Sequence, residues 1–134
     1  MANAVQVGSL SELLPQVDFL SLHCPGGEAN RDLIDAKALG AMKPSAILVN
    51  TARGEVVNDD ALIDALQSGK IAAAGLDVFD GEPNLNAGYL ACENAVLLPH
   101  LGSATEETRA AMGLRVLENL VQFFGGQEPK DRVA

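Results

Sequence analysis

The strongest constraint on the fold is the segment AILVN at residues 46–50, which is apolar up to its last residue. An unbroken apolar run of strand length is typical of a buried strand in a parallel sheet whose two faces are covered by helices. Similar strand-like runs occupy residues 18–22, 71–79 and 95–98, and helix-like patterns lie between them. This alternation predicts an α/β fold in which a parallel sheet is flanked by helices.

Capping signals indicate where the first helices begin. Ser9 followed by Glu12 forms a capping box, which predicts a short helix running over Leu13, Leu14 and Val17. Asn58 followed by two aspartates is typical of a helix N-terminus, because acidic side chains there complement the helix dipole. We also expect a helix over residues 35–42 and a short edge strand at residues 4–7.

The last predicted helix is long and carries apolar side chains over more than one face. Ser103 followed by Glu106 is another capping box and predicts where this helix begins. A helix that is apolar over so wide a face needs cover on more than one side. A second domain or a second copy of the chain would supply it; the alternative is a helix buried deep within its own fold. The apolar side chains are Met112, Val116, Leu117, Leu120, Val121, Phe123 and Phe124.

Charge and hydropathy exclude two classes of protein. The 134 residues carry a formal net charge of −9 and no cluster of lysine or arginine, so a phosphate backbone would be repelled and we expect no nucleic-acid partner. No apolar run approaches the roughly 20 residues that a membrane span needs. The first residues also lack the charged start and apolar stretch of a signal peptide, so we expect no membrane association.

The two cysteines, Cys24 and Cys92, are too few and too far apart to form a disulfide framework or a metal-binding spacing. We interpret them as unremarkable thiols of a cytoplasmic protein. No metal site is predicted anywhere in the chain.

Polar residues follow the predicted strands at the points where the strands end. Arg53 follows the strand at residues 46–50, Asp77 and Glu82 lie at and just past the end of the next strand, and His100 follows the last one. Ligands of open parallel sheets bind outside the carboxyl ends of the strands. We therefore expect these side chains, far apart in sequence, to converge at one edge of the sheet.

This set of side chains suits acid–base chemistry on a small carboxylic acid. A guanidinium fork such as that of Arg53 binds a carboxylate through two parallel hydrogen bonds, a geometry that lysine cannot reproduce. An imidazole such as that of His100 titrates near neutral pH and can give or take a proton. A carboxylate such as that of Glu82 would favour the imidazolium form and orient the ring.

Each of these residues also has a simpler interpretation when it is taken alone. Arg53 could be an ordinary surface charge, and Glu82 could lie in a solvated turn. His100 could be a loop histidine with its hydrogen bonds satisfied, and Asp77 could cap a turn. The combination at successive strand ends favours a functional site over these alternatives. His23 also follows a strand, but no carboxylate lies near it in the sequence, and we interpret it as structural.

Four segments closely resemble the signature segments of the D-isomer-specific 2-hydroxyacid dehydrogenases. They are SLHCP at 21–25, LVNTARG at 48–54, GLDVFDGEP at 75–83 and LPHLGS at 98–103, and the resemblance extends over nearly the whole chain. The residues in these four segments are most similar to those of the glyoxylate/hydroxypyruvate reductase branch. The resemblance implies a partial Rossmann-like sheet with a long C-terminal helix, and an oxidoreductase that moves a hydride between NAD or NADP and a small 2-oxo or 2-hydroxy acid.

The resemblance also implies roles for individual residues. Arg53 would grip the substrate carboxylate and polarise its carbonyl group, His100 would donate the proton in reduction, and Glu82 would be the partner of His100. Asp77 would lie beside the nicotinamide carboxamide. The remaining positions that line the cofactor in the family are occupied here by Cys24, Thr51, Ala52, Arg53, Gly102 and Ser103.

The chain departs from the family in one respect. It contains no G-x-G-x-x-G segment, since Gly26-Gly27 and Gly125-Gly126 are pairs without the third glycine. We therefore expect residues 1–134 to be the C-terminal portion of the dinucleotide-binding domain, without its glycine-rich half and without the N-terminal substrate domain. Such a chain would be a weak or inactive enzyme by itself. The alternative is a non-catalytic interaction or oligomerisation module, and in either case we expect a homo-oligomer.

Overall fold

The computed structural model describes residues 4–133 and divides the chain into two compact units, one up to Pro99 and one from His100 onward. A four-stranded parallel sheet forms the centre of the first unit, with its strands in the same order in space as in sequence. The predicted α/β fold with a parallel sheet is confirmed. The strands are β1 (Phe19–Leu22), β2 (Ile47–Asn50), β3 (Ala73–Leu76) and β4 (Ala95–Leu97).

Three helices belong to the first unit and one long helix belongs to the second. The first-unit helices are α1 (Leu10–Leu13), α2 (Ala36–Ala41) and α3 (Asp59–Gln67), and the second unit contains α4 (Glu106–Phe124). The predicted cap of α3 is confirmed, because the Asn58 side chain accepts a hydrogen bond from the Ala61 amide at 2.9 Å. None of the helices within residues 4–133 is both long enough and apolar enough to cross a bilayer.

The sheet of the first unit is well covered on one face. The core residues Leu20, Leu48 and Leu76 alternate along their strands with less buried neighbours, and Phe19 is 68% exposed. The strands lie in the order β1-β2-β3-β4, and α2 packs against both α1 and α3. One face of the sheet in this unit is therefore more deeply buried than the other, and cover of both faces by helices stays a prediction.

The first residues of the chain differ from the sequence prediction. Residues 4–7 have no regular secondary structure, so the predicted edge strand is wrong; a four-residue alternation is too short to specify a strand. Helix α1 ends at Leu13 and does not reach Val17, because Pro15 has no N–H to continue the helical hydrogen bonds. Ser9 caps α1 as predicted, while the Glu12 carboxylate accepts from the Gly8 amide at 3.0 Å instead of the Ser9 amide.

Helix α4 begins two residues later than predicted. Its N-cap is Thr105, whose hydroxyl accepts from the Thr108 amide at 3.2 Å, so the assignment of Ser103 as the cap is wrong. The later start places both Glu106 and Glu107 in the first turn, where the helix dipole favours negative charge. No residue of α4 is buried, which contradicts the alternative of a helix deep within its own fold.

Tyr89 connects the segment after β3 to the start of α3 through a hydrogen bond and a ring contact. Its side chain is 1% exposed, its hydroxyl donates to Asp59 at 2.8 Å, and its ring meets Phe79 edge-on with centroids 5.9 Å apart. Burial raises the pKa of the Tyr89 phenol, and the hydrogen bond to Asp59 raises it further. Burial also raises the pKa of the Asp59 carboxyl, although the bond from Tyr89 opposes that shift.

We expect the protein to lose stability as the pH rises above the ordinary phenol pKa of 10.0. Above that value the unfolded chain releases the Tyr89 proton while the folded chain retains it, so deprotonation favours unfolding. Because the chain has one tyrosine and no tryptophan, tyrosinate absorbance in the native protein reports on Tyr89 alone.

Tyr89→Phe is the matched control, since it keeps the ring and removes the ionisable hydroxyl. The variant is expected to show a flatter alkaline decline in its free energy of unfolding. Tyrosinate appearing in the folded wild-type protein at the ordinary pKa would contradict the burial argument.

Candidate active site at the carboxyl ends of the strands

The register of the sheet places the ends of its four strands side by side. Leu22 pairs with Asn50, Asn50 with Leu76, and Leu76 with Leu97. The segments that follow the strands therefore leave the sheet at the same edge within the first unit. This alignment is the basis for the candidate site, because polar side chains on these segments can meet there.

Asn50 shapes the loop that carries Arg53. Its side chain is 1% exposed; its amide nitrogen donates to the Arg53 carbonyl and its amide oxygen accepts from the Ala52 amide, both at 3.0 Å. Both ends of a buried amide are thus satisfied by the loop that follows it. This role of Asn50 was not predicted from the sequence, although a polar residue at the end of an apolar run was a visible signal.

Gly54 lets the Arg53 loop lie against the loop after β3. A Cβ atom at this position would lie 1.9 Å from the carbonyl carbon of Phe79 and 2.3 Å from the amide nitrogen of Asp80. Only glycine permits this approach of two backbones. The contact fixes the distance between the loop that carries Arg53 and the loop that carries Glu82.

A cavity of about 480 Å³ lies beside this loop. It brings together four of the predicted cofactor-lining residues, namely Cys24, Thr51, Ala52 and Arg53. Five of the seven lining residues have small side chains, which leaves room for a flat ring to approach closely. The complete lining is His23, Cys24, Pro25, Gly26, Thr51, Ala52 and Arg53.

The Arg53 guanidinium has no carboxylate partner among residues 4–133. It is exposed and donates one hydrogen bond, at 2.6 Å, to the carbonyl of its neighbour Ala52. By contrast, Arg31 and Arg115 each form ion pairs with carboxylates of the chain. The remaining N–H groups of Arg53 are therefore available to an anionic ligand in the cavity.

Glu82 and Asp77 lie on the segment that follows β3. The exposed Glu82 carboxylate accepts a hydrogen bond from the Phe79 amide at 2.8 Å, which holds it over its own turn. Asp77 is buried, and its backbone amide donates to the Asn50 carbonyl at 3.0 Å. The ends of β2 and β3 are thus joined by a backbone hydrogen bond as well as by the contact at Gly54.

His100, Gly102 and Ser103 belong to the second unit, in the segment that precedes α4. His100 is exposed and has a φ of 55°, in the left-handed region that few residues other than glycine adopt. Backbone outliers of this kind cluster at functional sites. Because Arg53 and Glu82 belong to the first unit, the convergence of His100 with them stays a prediction. No group of three or more metal-ligating side chains in residues 4–133 is arranged to hold a metal ion.

Comparison with known proteins identifies the family. The model of the D-isomer specific 2-hydroxyacid dehydrogenases, NAD binding domain, matches residues 1–102. The chain belongs to this family. The partial Rossmann-like sheet and the resemblance of the four segments are thereby confirmed.

Similar dehydrogenases are much longer than this chain. A glyoxylate reductase from Thermococcus litoralis is 49% identical over 121 residues, which are 90% of this chain and 37% of the relative. A glyoxylate/hydroxypyruvate reductase B from Erwinia tasmaniensis is 46% identical over 125 residues, which are 92% of this chain and 39% of the relative. The chain thus spans less than two fifths of the curated relatives it matches.

A solved structure of the family has the same fold. It is an NADPH-dependent glyoxylate/hydroxypyruvate reductase from Sinorhizobium meliloti in complex with NADP and malonate, 41% identical to this chain with a TM-score of 0.82. The match covers 87% of this chain and 36% of the reductase.

Gly54→Ala is expected to destabilise the first unit of this dehydrogenase domain by about 1–3 kcal/mol or more, because the added methyl group overlaps the Phe79 backbone. Gly75→Ala is the matched control, since a Cβ atom there meets nothing within 4 Å. We expect the control to change the free energy of unfolding, measured with urea, by no more than about 0.5 kcal/mol. Equal effects of the two substitutions would show that the backbone contact at Gly54 is unimportant.

Proposed function

We propose that this chain is part of a nicotinamide-dependent dehydrogenase that interconverts small 2-oxo and 2-hydroxy acids such as glyoxylate and hydroxypyruvate. The observation that carries the proposal is the Arg53 guanidinium, which lies at the strand ends beside a cavity and has no carboxylate partner within residues 4–133. The names of the reductases similar to this chain support the choice of substrate.

In the proposed reaction, Arg53 holds the substrate carboxylate through a bidentate pair and draws electron density from the adjacent carbonyl group. When bound, a reduced nicotinamide dinucleotide, NADH or NADPH, would supply the hydride for the carbonyl carbon. The His100 imidazolium donates its proton to the carbonyl oxygen, which gives the 2-hydroxy acid. Glu82 stabilises the imidazolium and orients its ring.

The cavity residues fit the nicotinamide end of such a cofactor. Gly26, Thr51 and Ala52 present little side-chain bulk, so a planar ring can lie against the loop that Asn50 holds. Cys24 lines the same cavity, and Asp77, Gly102 and Ser103 are proposed to complete the contacts with the cofactor. The sequence has no G-x-G-x-x-G segment to bind the pyrophosphate, so we propose that this chain alone binds the cofactor weakly and has little or no activity.

Arg53→Lys is expected to weaken glyoxylate binding by about tenfold, because an ammonium group cannot form the bidentate pair with a carboxylate. Binding is measured on the full chain by NMR titration, following the backbone amide signals of Thr51 and Ala52, which line the cavity in the wild type and in both variants. Arg115→Lys is the matched control: Arg115 is paired with Asp131 in the second unit, and its replacement should leave glyoxylate binding unchanged.

Two results would overturn the proposed role of Arg53. One is glyoxylate binding by Arg53→Lys that equals that of the wild type, and the other is a wild-type chain that does not bind glyoxylate at all. Rapid NADH- or NADPH-dependent turnover of glyoxylate by this chain alone would contradict its proposed low activity.

A second candidate function, an interaction module, is favoured by the exposed apolar stripe of α4. Leu117, Leu120, Val121 and Phe124 lie at helical spacing and are 47–82% exposed. An apolar surface of this kind marks a contact with another protein surface. We propose that two or more copies of the chain associate through it.

Leu120→Glu together with Phe124→Glu is expected to shift the chain to a smaller species in size-exclusion chromatography with light scattering, because charges in an apolar interface are costly to desolvate. Val5→Glu, at a position that is 87% exposed and outside the α4 stripe, is the control and should leave the mass unchanged. A wild-type chain that is already monomeric would remove the support for association through α4.

We further propose a cytoplasmic location for the protein. Both of its cysteines, Cys24 and Cys92, are free thiols, as is usual for proteins of reducing compartments.

A further inference from the structure

Three loops that leave the carboxyl ends of β1, β2 and β3 are joined by a network of charges outside the cavity. Arg31, on the loop after β1, donates from Nη1 to the Asp80 carboxylate at 3.1 Å. Its Nη2 lies 3.5 Å from Oε2 of Glu55. Asp80 belongs to the loop that carries Glu82, and Glu55 lies two residues after Arg53. We refer to Arg31, Glu55 and Asp80 as the loop clamp.

Glu55 is held by the first loop through its backbone as well as its side chain. While its Oε2 atom faces Arg31, its Oε1 atom accepts a hydrogen bond from the Gly27 amide. The Glu55 carbonyl also accepts from the Asp32 amide at 2.9 Å. The Glu55 side chain is 30% exposed, so these bonds are partly shielded from water.

Gly26 connects this network to Arg53. A Cβ atom at Gly26 would lie 2.3 Å from Oε1 of Glu55 and 3.2 Å from Cγ of Arg53. The Glu55 carboxylate and the aliphatic stem of Arg53 therefore both border the space over the bare backbone of Gly26. Displacing Glu55 would enlarge this shared space.

We propose that Glu55 and Arg31 are positioning residues for Arg53: the loop clamp holds the stem of Arg53 against Gly26 and so directs its guanidinium into the cavity. The inference rests on the proposed carboxylate-binding role of Arg53. Glu55 and Arg31 touch neither substrate nor cofactor, and they act only through the position of Arg53.

The alternative is that the clamp only stabilises the fold, as an exposed ion-pair network does anywhere on the surface. A matched control separates the two roles. Lys43 and Asp18 form an exposed ion pair at 2.9 Å that precedes β2 and β1, at the opposite end of the same sheet. Lys43→Ala removes an ion pair without touching the loops at the carboxyl ends.

The test compares Glu55→Ala, Glu55→Gln and Lys43→Ala in the full chain, well below the unfolding midpoint of each variant. The first readout needs no ligand: it is the nuclear Overhauser effect between the Gly26 Hα and Arg53 Hγ protons. We expect it to be lost in Glu55→Ala, weakened in Glu55→Gln, whose amide oxygen can still accept from Gly27, and unchanged in Lys43→Ala. An undiminished effect in Glu55→Ala overturns the proposal.

The second readout is the dissociation constant for glyoxylate. Glu55→Ala is expected to raise it by about tenfold, because a misdirected guanidinium loses its bidentate geometry, while Lys43→Ala leaves it unchanged. The double variant Arg31→Ala with Glu55→Ala should bind glyoxylate as tightly as Glu55→Ala alone, since both substitutions break the same contact. If Lys43→Ala and Glu55→Ala weaken glyoxylate binding equally, the loop clamp only stabilises the fold, and its positioning role is overturned.

The two readouts also separate this inference from the proposed function. A wild-type chain that shows the Gly26–Arg53 proximity but does not bind glyoxylate contradicts the function of Arg53 and leaves the clamp supported by the first readout. A wild-type chain that binds glyoxylate and loses no affinity in Glu55→Ala contradicts the clamp alone.

Discussion

The buried amide of Asn50 is the interaction on which the candidate site depends. Its side chain satisfies the Ala52 amide and the Arg53 carbonyl, and its own backbone carbonyl accepts from Asp77 at the end of β3. An apolar side chain of similar size would leave these loop groups without their partner, and a partly buried polar group that loses its partner is costly. One residue therefore sets both the path of the Arg53 loop and the junction between two adjacent strand ends. The close approach at Gly54 then fixes the same loop from its other side.

Much of the fold could be predicted because buried positions leave a regular pattern of apolar residues in the sequence. The apolar runs located all four strands, and the Asn58 cap located α3, since each signal reflects a local requirement of the backbone. The start of α4 was misplaced because Ser103 and Thr105 are both competent caps, and only the folded backbone distinguishes them. Cover of the second face of the sheet could not be decided from the sequence, because it depends on the order of the strands in space, which periodicity does not record.

The site was predictable in part. Arg53, Asp77 and Glu82 were placed by the rule that ligands bind at the carboxyl ends of parallel strands, and the structure positions all three on segments that leave that edge. The loop clamp could not be predicted, because Arg31 lies 24 residues from Glu55 and 49 from Asp80 and the contacts exist only once the loops are folded. The placement of His100 relative to Glu82 belongs to the arrangement of two separate units, and it remains a prediction from the strand-end rule and the family resemblance.

The Arg53 guanidinium has no carboxylate partner within residues 4–133, and this has a consequence for how an anion would reach it. The chain carries a formal charge of −9, so an incoming carboxylate meets a repulsive field before it meets the Arg53 guanidinium beside the cavity. At about 0.1 M salt the Debye length falls to about 10 Å, which screens the distant repulsion far more than a hydrogen-bonded contact. Association with a small anion should therefore become faster as salt is added, the reverse of the behaviour of a protein that steers its ligand electrostatically. A cation on a chain of net negative charge captures its ligand only at short range.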